Sequence, residues 1–84
     1  MLVVRFFARV REELGRDVLE VPWTDRVADV DSLQEHLCTT YGVHWRRVLA
    51  QDNIIRAVNR AVVHGNSPLD DGDEVAFFPP VTGG

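Results

Sequence analysis

The sequence predicts a single α+β domain in which a mixed β-sheet packs on one main helix. At 84 residues the chain is too short for two hydrophobic cores, because each half would bury too little apolar surface to offset its conformational entropy. Runs rich in β-branched and aromatic residues lie near both ends, and a segment with helical spacing lies between them. Two strand-rich halves around one central helix are typical of an α+β roll.

The first half of the chain predicts two strands with a short helix between them. Residues 2–7 are rich in β-branched and aromatic side chains, which in a strand would point to the two faces of the sheet in turn. This composition indicates a strand. Residues 8–14 favour a helix and are followed by Gly15, which can end a helix in a left-handed conformation. Residues 18–21 then resume an extended pattern up to Pro22, and this pattern predicts the second strand.

The main helix is predicted to begin after Asp29, whose carboxylate is a good N-terminal cap, and to end near Gly42. Apolar residues between these positions recur at helical spacing, which gives the helix one face for the core. They are Val30, Leu33 and Leu37. Residues 45–49 are expected to form a further helical turn over an edge of the core.

The second half of the chain predicts three more strands. Residues 54–58 and 61–64 flank Asn59 and Arg60, a short hairpin turn in which asparagine can adopt a left-handed backbone. A turn rich in aspartate and glycine then precedes a last strand over residues 74–78. With the short helical segments set aside, the predicted order is strand, strand, helix, strand, strand, strand.

The sheet face that does not meet the helix is expected to carry an apolar patch. Phe7 and Phe78 alternate out of phase with the neighbours that point into the core, so both should point outward. With Val62, and with Arg11 at the rim, they would form a patch with a polar border, as partner surfaces do. Each could instead be an ordinary surface residue, and a one-residue shift in register would place Val62 in the core.

Composition argues against several classes of function. The net charge of −4 and the scattered positions of the arginines argue against nucleic-acid binding, which normally uses a basic face to neutralise phosphates. Cys38 is the only cysteine, which excludes an internal disulfide and fits a reducing compartment. No apolar run suits a signal peptide or a membrane span, so the cytoplasm is the expected location. The histidines at 36, 44 and 64 lack ligand-like spacing, and no metal site is expected.

The C-terminal residues 79–84 are predicted to form an extended, flexible tail. Pro79 and Pro80 offer no N–H to a strand ladder and stiffen the departing chain, whose six residues reach about 20 Å. Gly83 and Gly84 have no side chains, so the terminal carbonyl is open to attack. A carboxylate with a pKa of about 3.5 is a poor electrophile, and ATP-dependent adenylation would activate it. The alternative is a frayed terminus or a cloning remnant.

Three segments of the chain resemble segments of one known family. Residues 71–84 (DGDEVAFFPPVTGG) resemble the C-terminus of that family, and residues 4–12 (VRFFARVRE) resemble its first strand and short helix. Residues 57–60 (AVNR), followed by Pro68 and Leu69, resemble its middle hairpin. The family is that of the small subunits of molybdopterin synthase, and the resemblance implies a ubiquitin-like β-grasp fold for the whole chain.

The resemblance also implies a chemical cycle in which the chain is a sulfur carrier and not itself a catalyst. A ubiquitin-activating-type adenylyltransferase would consume ATP to adenylate Gly84, with Gly83 beside it. A sulfur donor, either a cysteine desulfurase or a rhodanese-like protein, would then convert the adenylate to a thiocarboxylate. The large catalytic synthase subunit would pass this sulfur to cyclic pyranopterin monophosphate, a step in molybdenum cofactor biosynthesis. No permanently bound cofactor is implied.

The family docks its large subunit on the outer sheet face and takes the tail into that subunit's pocket. The residues that the resemblance assigns to the partner surface are Phe7, Arg11, Val62, Phe78, Pro79, Pro80, Val81 and Thr82.

Other functions share part of this pattern. A sulfur carrier for thiamine synthesis or tRNA thiolation would also end in Gly-Gly, although the proline pair and the match from Phe7 to Arg11 favour the molybdopterin branch. A ubiquitin-like modifier would form isopeptide bonds with lysines of target proteins. A binding module with an inert tail would lose nothing when Gly84 is removed.

Overall fold

The computed structural model describes residues 1–80. Four residues for which roles were predicted, Val81, Thr82, Gly83 and Gly84, lie outside the described residues. The elements in chain order are β1 (Leu2–Phe6), α1 (Ala8–Leu14), β2 (Val18–Val21), a 3₁₀ turn (Asp25–Val27), α2 (Val30–Tyr41), α3 (Val43–Leu49), β3 (Ile55–Val58), β4 (Ala61–Val63) and β5 (Glu74–Phe78).

The five strands form one mixed sheet in the order β2-β1-β5-β3-β4. Strands β1 and β5 are parallel, whereas β1 pairs with β2, β5 with β3 and β3 with β4 in antiparallel fashion. The predicted α+β roll with a mixed sheet is therefore confirmed. Because the first and last strands of the chain are neighbours, the two halves of the sheet are joined by pairs of residues about 70 positions apart, such as Val4 and Val75.

Three of the predicted strands are one residue too long. The structure ends β1 at Phe6, begins β3 at Ile55 and ends β4 at Val63. Phe7 is still extended and its N–H donates to the carbonyl of Phe77 at 3.2 Å, but it serves as the N-terminal residue that precedes α1. The chain turns into α1 at Ala8, which has a φ of 53°, a left-handed value that alanine seldom adopts.

The core lies between one face of the sheet and helices α2 and α3. Phe6 and Phe77 stack with ring centroids 5.9 Å apart, and Trp45 of α3 meets Phe6 edge-to-face at 5.4 Å. The predicted core face of α2 is confirmed, since its three apolar residues have no exposed surface. They are Val30, Leu33 and Leu37. The Asp29 carboxylate caps α2 as predicted and accepts from the Ser32 N–H at 2.7 Å.

Gly42 joins α2 to α3 and serves both helices. Its N–H donates to the Cys38 carbonyl at 2.9 Å, and its own carbonyl accepts from Arg46 at 3.1 Å. Its φ of 101° and ψ of −165° belong to a region that is almost restricted to glycine. This hinge lets α3 begin at Val43, two residues earlier than predicted, and fold back on α2.

We expect Gly42→Ala to lower the free energy of unfolding by about 2 kcal/mol and Tm by roughly 10 °C. A Cβ at this position meets nothing within 4 Å, so the loss would come from backbone strain and not from crowding. Gly15→Ala is the matched control, because Gly15 also faces open space but has an ordinary left-handed conformation, with a φ of 69°. Its expected loss is about 1 kcal/mol. Thermal melts that show equal losses would contradict this account.

None of the helices between residues 1 and 80 has the length and apolar character needed to cross a membrane.

Candidate docking face and reactive tail

Strand β5 carries the tail and lies in the middle of the sheet, between β1 and β3. Its residues alternate between buried and half-buried, with Val75 and Phe77 in the core and Phe78 on the other face. Pro79 is half-buried and Pro80 is exposed, so the chain leaves the sheet where the ladder hydrogen bonds end. The tail therefore begins directly after Phe78, at the end of a central strand.

Phe7 and Phe78 are brought together on this outer face. Their rings pack edge-to-face with centroids 6.5 Å apart and planes at 80°. Phe7 remains 44% exposed and Phe78 is half-buried. Ile55 lies directly opposite Phe78 on β3 and so shares its face. Nothing in the sequence analysis singled out Ile55, because its position depends on the pairing of β3 with β5.

Val62 lies on the same outer face, two strands away from β5. It pairs with Ala57 of β3, which in turn pairs with Ala76 of β5. Val62 is 50% exposed, so the alternative register that would bury it is wrong. Ala57, which lies between Val62 and β5, and Ala76 of β5 itself are small, which makes this part of the face shallow. We call the five residues Phe7, Ile55, Val62, Ala76 and Phe78 the outer apolar patch.

Arg11 lies on helix α1, which follows Phe7 in the chain. It is exposed, and its N–H donates to the Phe7 carbonyl at 3.3 Å, which places it one helical turn beyond Phe7. The structure thus places Phe7, Val62 and Phe78 on the outer face of the sheet, whereas for Arg11 it shows an exposed side chain one helical turn after Phe7. Their predicted role in partner binding stays a prediction.

A charged cluster follows the apolar patch along β5. The Arg5 Nε donates to Glu74 Oε2 at 2.7 Å, and the Arg60 Nε lies 3.7 Å from Glu74 Oε1. We call these three residues the outer charge cluster. The hydrogen bond from Arg5 lowers the pKa of the Glu74 carboxyl below its ordinary value, which favours the charged carboxylate. Any contribution of the ion pair to stability is lost as pH falls through this lowered pKa.

A groove of about 550 Å³ adjoins the base of the tail. Helix α1 forms one wall with Val10 and Glu13, the loop before β3 forms the other with Asn53 and Ile54, and Pro79 lies at the edge. The sequence analysis missed this groove, because its walls come from segments about 40 residues apart.

Neither a metal site nor the Cys38 thiol offers an alternative reactive site among residues 1–80. Within the described part of the chain, no group of three or more His, Cys, Asp and Glu side chains is arranged to hold a metal ion. Cys38 is buried in α2, and burial raises the pKa of its thiol, which disfavours the reactive thiolate. Cys38 is instead part of the hydrophobic core.

The mixed sheet, the helix packed against it and the Gly-Gly sequence at the end define a ubiquitin-like β-grasp protein. Comparison with known families narrows this class. Residues 4–84 match the ThiS family, so the chain belongs to that family.

Individual relatives have stated functions. The chain is 45% identical to the molybdopterin synthase sulfur carrier subunit of Escherichia coli K12, and the match covers all of both chains. It is 36% identical to small archaeal modifier protein 3 of Haloferax volcanii DS2, over 99% of this chain and 98% of that one. A protein–protein complex of subunits 1 and 2 of molybdopterin-converting factor from Helicobacter pylori 26695 contains a similar fold. That match has a TM-score of 0.70 at 25% identity and covers 99% of this chain and 97% of the other.

Proposed function

We propose that this chain is the sulfur carrier subunit of molybdopterin synthase. The observation that carries the proposal is the full-length identity of 45% to a sulfur carrier subunit of that synthase. The geometry supports it, because Phe78 belongs to the outer apolar patch and lies immediately before the tail. A partner that covers the patch is thereby positioned to receive the end of the chain.

The proposed cycle begins at the carboxylate of Gly84. In the adenylyltransferase, a carboxylate oxygen attacks the α-phosphorus of ATP, which gives the acyl adenylate and releases pyrophosphate. The terminal sulfur of a persulfide donor then attacks the acyl carbon and displaces AMP, which joins donor and chain through an acyl disulfide. A thiol reduces the S–S bond of this disulfide and frees the thiocarboxylate. The chain supplies the acyl group and the docking face, while its partners supply the catalytic groups.

The large synthase subunit is the proposed final partner. It would cover the outer apolar patch with Phe7 and Phe78 near the centre, and the tail from Pro79 onward would enter its pocket. There the sulfur passes to cyclic pyranopterin monophosphate, and water restores the Gly84 carboxylate. A related protein complex of subunits 1 and 2 supports a two-subunit arrangement of this kind.

The intact mass of the chain isolated from its own cells tests this proposal. We expect a fraction heavier by one exchange of oxygen for sulfur, located in the peptide that ends in Gly84. The control is the same chain isolated from cells that lack the adenylyltransferase, in which this fraction should be absent. Detecting only the unmodified chain while the cells make molybdenum cofactor would contradict the sulfur carrier function.

Similarity to an archaeal modifier supports one alternative, a ubiquitin-like protein that is joined to lysines. This function predicts a ladder of covalent adducts in cell extracts, resistant to thiol reagents and linked through Gly84. Recovery of only the free chain and its thiocarboxylate would exclude it under those conditions.

A further inference from the structure

Arg60 occupies a backbone position that favours glycine. Asn59 and Arg60 form the two-residue turn between β3 and β4, with φ values of 49° and 70°. Positive φ at both central residues is the pattern of a type I′ turn, in which asparagine followed by glycine is preferred. Arginine at the second position carries a strain that glycine would not.

The arginine is not needed to build this turn. Asn59 fixes the turn through its side chain, which donates to Asp73 Oδ1 at 3.0 Å and accepts from the Glu74 N–H at 3.0 Å. The Asn59 N–H also donates to the Glu74 carbonyl at 2.7 Å. None of these contacts involves the Arg60 side chain.

The Arg60 side chain has little contact with the rest of the described chain. It is 89% exposed, and its contact with Glu74 is 3.7 Å long, whereas Arg5 already donates to the same carboxylate at 2.7 Å. Two guanidinium groups thus share one carboxylate. The outer charge cluster carries one excess positive charge, although the net charge of the chain is −4.

The cluster is continuous with the outer apolar patch. Arg5 lies opposite Ala76, a patch residue, and Glu74 precedes Ala76 by two positions on the same face of β5. From Glu74 to Phe78 the strand runs about 13 Å. A partner that covers the outer apolar patch therefore also reaches Arg5 and Arg60.

From these observations we propose that the large synthase subunit places an acidic surface segment on Arg60 and Arg5 when it docks on the outer apolar patch. This inference rests on the proposed function. Arg60 acts in recognition: it attracts the carboxylates of the partner and fixes the direction in which the sheet lies on that subunit. Carboxylate is the complementary group because guanidinium binds it with two parallel hydrogen bonds.

The replacement Arg60→Gly separates recognition from stability, since glycine removes both the charge and the strain. We expect Tm to rise by about 3 °C. With the large subunit from the same cells, we expect the association rate constant at low salt to fall about tenfold, with a weaker dependence on salt. Arg60→Lys should retain most of the salt dependence, because it keeps the charge.

Arg47→Glu is the control for a general effect of charge. Arg47 is an exposed arginine of α3, on the helical side of the molecule, and its reversal should change the association rate less than twofold. Binding of Arg60→Gly at the wild-type rate and with the wild-type salt dependence would overturn the proposal. So would slower adenylation with unchanged large-subunit binding, which would move the acidic partner to the adenylyltransferase. A wild-type chain that does not bind the large subunit would instead refute the proposed function.

Discussion

Deletion of Gly84 is expected to abolish sulfur transfer while Tm stays within about 1 °C of the wild-type value. The reason for the first effect is distance, because a tail that is one residue shorter places its terminal carbonyl about 3.3 Å short of the reacting position. The reason for the second is that the core is assembled from residues between Leu2 and Phe77. Turnover of a reconstituted synthase and a thermal melt measure the two effects.

A chain with one extra glycine after Gly84 is the matched control for this deletion. It retains every residue of the wild-type chain but moves the carboxylate outward, so it should fail in sulfur transfer as the deletion does. If either variant transferred sulfur at the wild-type rate, the reacting group would not be the carboxylate of Gly84. A large fall in Tm after the deletion would show that the tail contributes to the fold.

Replacing Phe78 with arginine is expected to weaken binding of the large subunit by about 100-fold, or roughly 2.7 kcal/mol. Phe78 packs against the Phe7 ring and lies opposite Ile55, so a guanidinium there would disrupt the apolar centre of the docking face. Adenylation of Gly84 should continue, provided that the adenylyltransferase does not use the same face. Titration with the large subunit and detection of the adenylate measure the two steps.

Val43→Arg is the control for this substitution. Val43 is 66% exposed at the start of α3, on the side of the molecule that the helices cover, and should tolerate arginine without loss of binding. Similar losses for the two variants would contradict a docking face around Phe78. A melt of each variant shows whether a loss of binding reflects unfolding.

Much of the fold could be predicted from local patterns. The two-residue alternation in β1 correctly separated Phe6, which is buried, from Phe7, which is exposed. The capping side chain of Asp29 correctly marked the start of α2. These signals are local, because the burial of a strand face or a helix stripe is set by neighbouring residues in the sequence.

The parts that were missed depend on contacts between distant segments. The place of Ile55 in the outer apolar patch follows from its pairing with Phe78, and no pattern within residues 54–58 specifies that register. The groove at the base of the tail likewise needs α1 and the loop before β3 to meet. The left-handed backbone of Ala8 went unforeseen because alanine gives no signal for it.

The central position of β5 has a mechanical consequence. A pull on the tail along the strand axis loads the ladders to β1 and β3 at the same time and in shear. Hydrogen bonds loaded in this way share the force, whereas those of a strand peeled from a sheet edge open one after another. We therefore expect that a partner can bind the tail, pull on it and release it without opening the hydrogen bonds that hold β5 in the sheet.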